Sequence, residues 1–494
     1  MLDQIRKITR QTAVYGLGNV LNKLLGFLLI PLYNNFIPIG RFGDLAVLET
    51  TILLFTSILH FGVFSGHQRY FFIEKEKGTY GSFLLSNYAG NISLTLISLL
   101  PLLLLSGQIS GLLFGGTENA ELLRLAFWIV LAEILCVVPL QILQYEEKPF
   151  QYLFYNFIKL ALSFTLTIIL VRFYSAGIDG ILKARLAGAA VTAAAFMLLV
   201  VVPRVSGPFS FKHLWISVRF GFPAILGNLG FLVFQLNDRY MLNWLSTDAE
   251  TGKYAFGYKI ANFINLIFIS TIGLSYMPSM FSREKEENNL RYYRKMLTYY
   301  CFVIAFIILG FLFFYRELIA LVARNRDYQE GLAVVPVLAM SFMIMGMNYF
   351  VGVGLYLKEK MIFFLIPSFT AAGLNVFLNF MLIPGMGMMG AAWSNLAAQA
   401  LYTGLLAFIA SRFMKISFEW MKIAMICFLA IILFFAERFT GSMPFIAATA
   451  LRVALLGLFP LVLYKLNFFE EIELQRIREG ISRVFNRFSP WKMD

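Results

Sequence analysis

Gly177-Ile-Asp-Gly180-Ile-Leu-Lys183-Ala-Arg185-Leu-Ala187 is echoed later in the chain by Gly387-Met-Met-Gly390-Ala-Ala-Trp393-Ser-Asn395-Leu-Ala397. Each stretch runs a Gly-x-x-Gly turn directly into a small-residue helix. Two looser matches keep the same order: Tyr15-Gly16-Leu17 with Phe220-Gly221-Phe222, then Gly26-Phe27-Leu28 with Gly230-Phe231-Leu232. Recurrence in a common order is the mark of a duplicated unit. Six apolar spans separate the members of each pair, so both members enter the membrane from the same side. The halves are therefore expected to be parallel repeats, related by an axis along the membrane normal.

Working outward from these motifs, the chain offers fourteen apolar runs of bilayer-spanning length, roughly 20 residues each. They cover 12–37, 43–66, 83–106, 122–145, 152–173, 180–203, 216–243, 254–281, 293–315, 331–357, 360–383, 388–412, 419–437 and 443–464. Composition agrees, since 59% of the 494 residues are hydrophobic and only 14% charged. Ordinary soluble domains run to about a quarter charged. The expected fold is an all-α polytopic membrane protein with two six-helix lobes and two added C-terminal helices. Its parts divide as an N-terminal lobe at 1–210, a second lobe at 211–415, helices thirteen and fourteen at 416–464, and a cytoplasmic tail at 465–494. The charged N-terminal segment carries no small-residue cleavage site, so the first span reads as a retained helix. Lys75, Lys77, Arg204, Lys212, Arg219 and the run from Arg283 to Lys295 fall on one side. By the positive-inside rule both termini are expected to be cytoplasmic.

Several function classes drop out. Cys136, Cys301 and Cys427 lie in apolar stretches, and His60, His67 and His213 are scattered, so neither disulfides nor a metal site are expected. No phosphate loop, zinc helix or nucleophile elbow occurs. The loops are short, and the outer acidic pair Asp248-Ala249-Glu250 reads as a solvated turn. The chain is expected to be no enzyme and to bind no nucleic acid or cofactor.

What remains is the polar content of the spans. A charge at the centre of a spanning helix costs roughly 2.5–3.5 kcal/mol on insertion scales, so it should face water or a partner. The basic residues Lys23, Lys159, Lys183, Arg185, Arg239, Lys259 and Arg452 stand against Glu49, Glu133 and Asp238. An excess of positive charge favours an anionic substrate, above all a phosphate-bearing one. Asn19, Asn228, Gln235 and Asn262 share faces with these residues and would line the same cavity. Glu133, Asp238 and Glu49 are candidates for coupling to H+ or Na+. Competing accounts stand beside these. Lys159, Lys183 and Arg185 could snorkel to the interface. Asp238 could pair with Arg239 or Lys259, and Glu133 with Lys159 or Lys23. Asn375, Asn379, Asn395 and Gln399 read as hydrogen-bonding glue between helices. The last two spans could form a groove for a lipid tail with Arg452 at its wall, or simply pack at the periphery. The tail after Lys465 alternates apolar and basic faces, as a helix lying on anionic lipid does.

The stretch Leu236-Asn-Asp238-Arg239-Tyr-Met-Leu through Gly252-Lys-Tyr254-Ala-Phe-Gly-Tyr258-Lys259-Ile260, with the two Gly-x-x-Gly turns, resembles polysaccharide-biosynthesis membrane proteins, the Wzx-type O-unit flippases. Their superfamily also holds MurJ-type flippases and MATE exporters. The resemblance covers about residues 5–465. It implies alternating access by two lobes that carry an undecaprenyl-pyrophosphate-linked oligosaccharide across the membrane. Membrane lipids and other polysaccharide-assembly membrane proteins are the implied partners. A MATE-like ion-coupled exporter of drugs or metabolites is the alternative.

Overall fold

The computed structural model describes residues 28–470 apart from Arg324 and Asn467. Most of the first expected span, with Asn19 and Lys23, and the amphipathic tail past Glu470 lie outside the described residues. Every regular element described is helical. The chain opens with α1 (Ile30–Phe36), α2 (Ile39–Leu59), the short α3 (Val63–Glu76) and α4 (Tyr80–Leu104). Then come α5 (Ser106–Phe114), α6 (Ala120–Tyr145), α7 (Pro149–Ile168) and α8 (Gly177–Phe196). The next group is α9 (Phe211–Leu245), α10 (Asp248–Ile264), α11 (Ser270–Ser282), α12 (Asn289–Val322) and α13 (Arg326–Glu330). The last is α14 (Val335–Val351), α15 (Val353–Leu357), α16 (Leu365–Met386), α17 (Met388–Phe413), α18 (Trp420–Glu437) and α19 (Phe445–Lys465).

Among the described residues twelve helices are long and apolar enough to cross a membrane. They fall one for one on twelve of the fourteen expected runs. The seventh run is α9, a 35-residue helix that carries Arg219, Asp238 and Arg239 and is not among the twelve. Wide π-type turns at Ile169–Phe173 and Asn265–Ile269 carry two of the spans through without a break.

The first glycines of the two Gly-x-x-Gly motifs share one φ. Gly177 and Gly387 both take φ of +53° where α8 and α17 begin, a region costly for a residue with a Cβ. Three residues on, Gly180 and Gly390 lie against Leu170 and Leu382 at the end of the preceding span, where a Cβ would crowd the neighbour. The first glycine reverses the chain and the second lets the two spans close up.

Glycines also set how the earlier and later helices meet. A Cβ on Gly43 of α2 would strike the carbonyl of Asp248, and one on Gly252 of α10 would strike that of Ile39. At the opposite end of α2, Gly62 (φ +75°) and Gly221 of α9 touch backbone to backbone. The 21 residues of α2 span about 30 Å. α2 is thus held by later helices at both of its ends, and its middle is where a space between them could lie. Helices α18 and α19 pack on α12 at the edge of the bundle.

Candidate functional site

Near the middle of α2, Glu49 accepts from the ammonium of Lys259 on α10, with Nζ 3.0 Å from Oε2. That ammonium also lies over the rings of Tyr33 and Phe42, at 5.4 and 5.0 Å. Near the middle of α6, Glu133 accepts two bonds from Arg185 of α8, from Nη2 at 2.8 Å and Nε at 3.0 Å. The two pairs are electrostatically one cluster. Arg185 acts on Glu49 as well as Glu133, Lys159 of α7 acts on Glu133, and Arg239 of α9 acts on Glu49. The Arg239 guanidinium covers the face of Tyr258 at 4.5 Å, a cation–π contact.

Six charged side chains from six helices therefore converge, four basic and two acidic. Two ion pairs leave Lys159 and Arg239 as excess positive charge. Glu49 and Lys259 keep 31% and 29% of their side-chain surface accessible, so the pair is not sealed in packed hydrocarbon. In a low dielectric such pairs hold only while both partners are present.

The remaining sequence-derived residues go to other places. Lys183 forms an exposed i,i+4 pair with Asp179, 2.6 Å apart on the opposite side of α8 from Arg185. Arg452 lies apart from the cluster, bonded to Glu317 and to Glu437, the latter at 2.7 Å; it ties α19 to α12 and α18. Asn262 accepts from Asn265 at 2.9 Å, within one turn of the same span. Gln235 lines a cavity described below, and the side chain of Asn228 lies outside what the structure describes. Glu250 of the outer acidic pair accepts the Met388 backbone N–H at 2.9 Å and pairs with Lys253 at 3.1 Å. It holds the start of α17 in place.

Asp238 departs from the ion pair that its neighbours suggest. Only 1% exposed, it accepts from the Tyr254 hydroxyl at 2.6 Å and from the amides of Asn379 and Asn395 at 2.9 Å and Asn375 at 3.1 Å. The cage draws on α9, α10, α16 and α17. Asn379 Oδ1, buried beside it, has no hydrogen-bond partner among the described residues. The sequence signal was present in the i,i+4 spacing of Asn375 and Asn379, which puts both amides on one face. Nothing local names their common target. Among the described residues no three His, Cys, Asp or Glu side chains converge on a metal-sized site.

This is a multi-pass membrane bundle with a charged centre, and comparison with known proteins places it. The sequence model of the polysaccharide biosynthesis protein family matches residues 8–283, more than half of the chain, and the chain belongs to that family. A Haemophilus influenzae protein described as an uncharacterized membrane protein is 25% identical over 287 residues, covering 56% of this chain and 66% of its own length. Lsg locus putative protein 1 of the same organism is 21% identical, with 57% and 68% covered. The chain thus spans about two thirds of the curated relatives it matches. Among solved structures, the lipid II flippase MurJ in an inward closed conformation superposes with a TM-score of 0.74 at 15% identity, covering 92% of this chain and 99% of MurJ. An inward-facing MATE multidrug transporter gives 0.57 at 16% identity, covering 81% and 94%. At these identities the likeness is one of fold.

Proposed function

We propose that the protein is a flippase. It moves an oligosaccharide linked to undecaprenyl pyrophosphate across the cytoplasmic membrane by alternating access. The observation that carries this reading is the cationic excess of Lys159, Arg185, Arg239 and Lys259 around Glu49 and Glu133, at mid-depth in a bundle of the polysaccharide biosynthesis family. Sugar and diphosphate do not cross hydrocarbon unaided. A site at mid-depth gives the diphosphate countercharges while the polyprenyl chain stays in lipid. The glycine contacts at the two ends of α2 are the places where the halves would part in turn, one end opening while the other stays shut. Asp238 is the candidate for coupling to H+ or Na+, since a buried carboxylate ringed by neutral donors is open to a proton or a small cation. Fourteen spans in two parallel six-helix lobes plus two helices, with both termini cytoplasmic, complete the reading.

The test is surface-glycan display and the level of lipid-linked intermediate in a strain lacking the protein. Lost glycan with undecaprenyl-linked units accumulating on the inner leaflet, both reversed by returning the gene, is the expected result. Unchanged glycan would overturn the reading in favour of an exporter, and sensitivity to toxic compounds would be measured next.

A further inference from the structure

Between α9, α10, α14, α16 and α17 lies a cavity of about 960 Å³. That is at the upper end of the usual range for small-molecule sites, about 300–1,000 Å³. It begins at mid-depth, where Leu53, one turn along α2 from Glu49, and Tyr258, next to Lys259, form part of its wall. It runs to Met361 and Phe364, at the end of the bundle where the Lys358–Lys360 turn lies. The cavity therefore abuts the charged cluster but is not part of it.

Its lining is unlike the cluster's. Much of its wall is apolar, and no charged side chain is among the residues described around it; its polar groups include the rings of Tyr258, Tyr349, Tyr356 and Tyr402 and the amides of Gln235, Asn265 and Asn348. Asn265 donates to Asn262 at 2.9 Å and Asn348 accepts from Thr403 at 2.8 Å, so each has one neighbour and keeps hydrogen-bonding capacity that a lipid chain could not use. A pocket for an anionic group would need a countercharge, and none is among the described lining residues; the nearby Arg239 guanidinium is stacked on the Tyr258 ring. Aromatic faces carry negative potential and attract the C–H edges of a saturated ring. Carboxamides both donate and accept, as hydroxyl groups require. The combination fits an uncharged polyhydroxylated ring.

The amide of Gln235 is, moreover, poorly engaged. Among the described residues its Nε2 reaches the thioether of Met345 at 3.7 Å, and its Oε1 takes the Tyr258 hydroxyl at 3.4 Å. Both contacts are long for their type. A ligand hydroxyl would replace them with better bonds.

We propose that this cavity binds uncharged sugar residues of the lipid-linked glycan, while the diphosphate is held by the adjoining charged cluster. The assignment rests on the flippase reading and adds a specificity to it. The sugars nearest the diphosphate are neutral, and a uronic acid there is disfavoured because the described lining offers its carboxylate no cation and the neighbouring cations are engaged by Glu49, Glu133, the Tyr258 ring and the diphosphate.

The test uses the full chain in lipid nanodiscs and three probes: polyprenyl diphosphate, the same lipid bearing N-acetylglucosamine, and the same lipid bearing glucuronic acid. The neutral glycolipid is expected to bind about tenfold more tightly than either of the others, a difference of about 1.4 kcal/mol. Tyr349→Ala and Asn348→Ala should each abolish most of that gain. Both should leave polyprenyl diphosphate bound as in the unaltered protein, which also shows that the variants fold. Tyr349→Phe, which keeps the ring, should retain the gain. Equal affinity for the lipid with and without its neutral sugar would overturn the proposal, as would preference for the glucuronic acid probe. So would loss of all three probes to the same degree in Tyr349→Ala, the result expected if the cavity held the polyprenyl chain. Failure of a different kind would mark the parent reading. If Lys259→Ala leaves the affinity for polyprenyl diphosphate unchanged, the cluster does not hold diphosphate. If no probe binds the unaltered protein, the flippase reading falls and this proposal with it.

Discussion

Glu133 and Asp238 are both carboxylates deep in the bundle, and their surroundings solve the same problem in opposite ways. Glu133 meets a full opposite charge, the guanidinium of Arg185, which belongs to a larger cluster with Glu49, Lys259 and Arg239. Asp238 meets no full charge and is held by one hydroxyl and three amides. A cluster of paired charges can exchange partners when an anion arrives, because the bonds that break are replaced by bonds of the same kind. A caged carboxylate has no such exchange. It can only be neutralised, or gain a cation. On the proposed reading, substrate handling would fall to the first region and any coupling to the second.

Breaking one partner of the charged pair is expected to have the largest effect. Glu133→Ala takes away the carboxylate that binds Arg185 and leaves it only the influence of Glu49. Stability should fall by about 3 kcal/mol, the lower end for a buried pair because the two side chains keep 32% and 18% of their surface accessible. Adding Arg185→Met should recover most of that loss, because a buried pair replaced by apolar groups is often neutral. Thermal unfolding of the four proteins of this double-mutant cycle in one detergent measures the coupling. Additive losses would mean that Arg185 and Glu133 do not depend on each other. The double mutant should nonetheless fail to restore surface glycan, which separates stability from transport.

Asp238→Asn comes next. It keeps the shape and removes the charge, and one of its two terminal groups then confronts the cage with a donor. Hydrogen bonds to a charged group contribute about 1.5–3 kcal/mol each, and a loss of that order is expected. Unlike the first case, no second-site apolar substitution should compensate, since the cage is made of several independent donors. A thermal shift within error of the unaltered protein would sink the claim that the cage is built around a charge.

A third measurement moves the comparison outside the membrane, to Glu146 just past the end of α6. Bidentate hydrogen bonding from Arg204, both contacts at 2.7 Å, holds its carboxyl down to about 2 against the opposing push of burial, with Lys148 assisting. A carboxyl lowered on folding contributes stability that is complete above its unfolded value, near 4.3, and is lost as pH falls toward about 2. The melting temperature of the unaltered protein should therefore fall between pH 4.5 and pH 2 more steeply than that of Glu146→Gln. Parallel curves would remove Arg204–Glu146 from the account of acid stability.

Much of this was legible in the sequence, and what was not has a common cause. Hydrophobic runs located the twelve described spans, because a helix in lipid satisfies its own backbone and needs only length and apolarity. The paired Gly-x-x-Gly turns could be read because a positive φ and a close helix contact each demand glycine. Partner choice was not legible. Glu133 is matched with Arg185 and not with Lys159, and Asp238 with three asparagines and a tyrosine drawn from three other helices. Each choice depends on how helices far apart in sequence rotate against one another. The uncharged cavity was legible only in part, for the same reason. Gln235, Tyr258 and Asn265 fall on polar faces that the sequence shows, whereas Asn348, Tyr349 and Tyr402 lie on spans that show no such face until the bundle closes around them.

Lys183 sharpens the comparison from its weakest end. It was grouped with Arg185 by composition, yet two residues along a helix turn the side chain through about 200°, so the two point to opposite sides of α8. Arg185 enters the cluster, while Lys183 keeps 57% of its side chain exposed beside Asp179, itself 39% exposed. Exposed ion pairs contribute about 0–1 kcal/mol at most, and ions in solution screen them further. Lys183→Gln should therefore leave both the melting temperature and surface glycan near those of the unaltered protein. Arg185→Gln, with the same loss of charge on the same helix, should remove the glycan. If the two variants behave alike, the positive charge acts through the general field of α8 and not through contacts in the cluster, and the division between inward and outward basic residues fails.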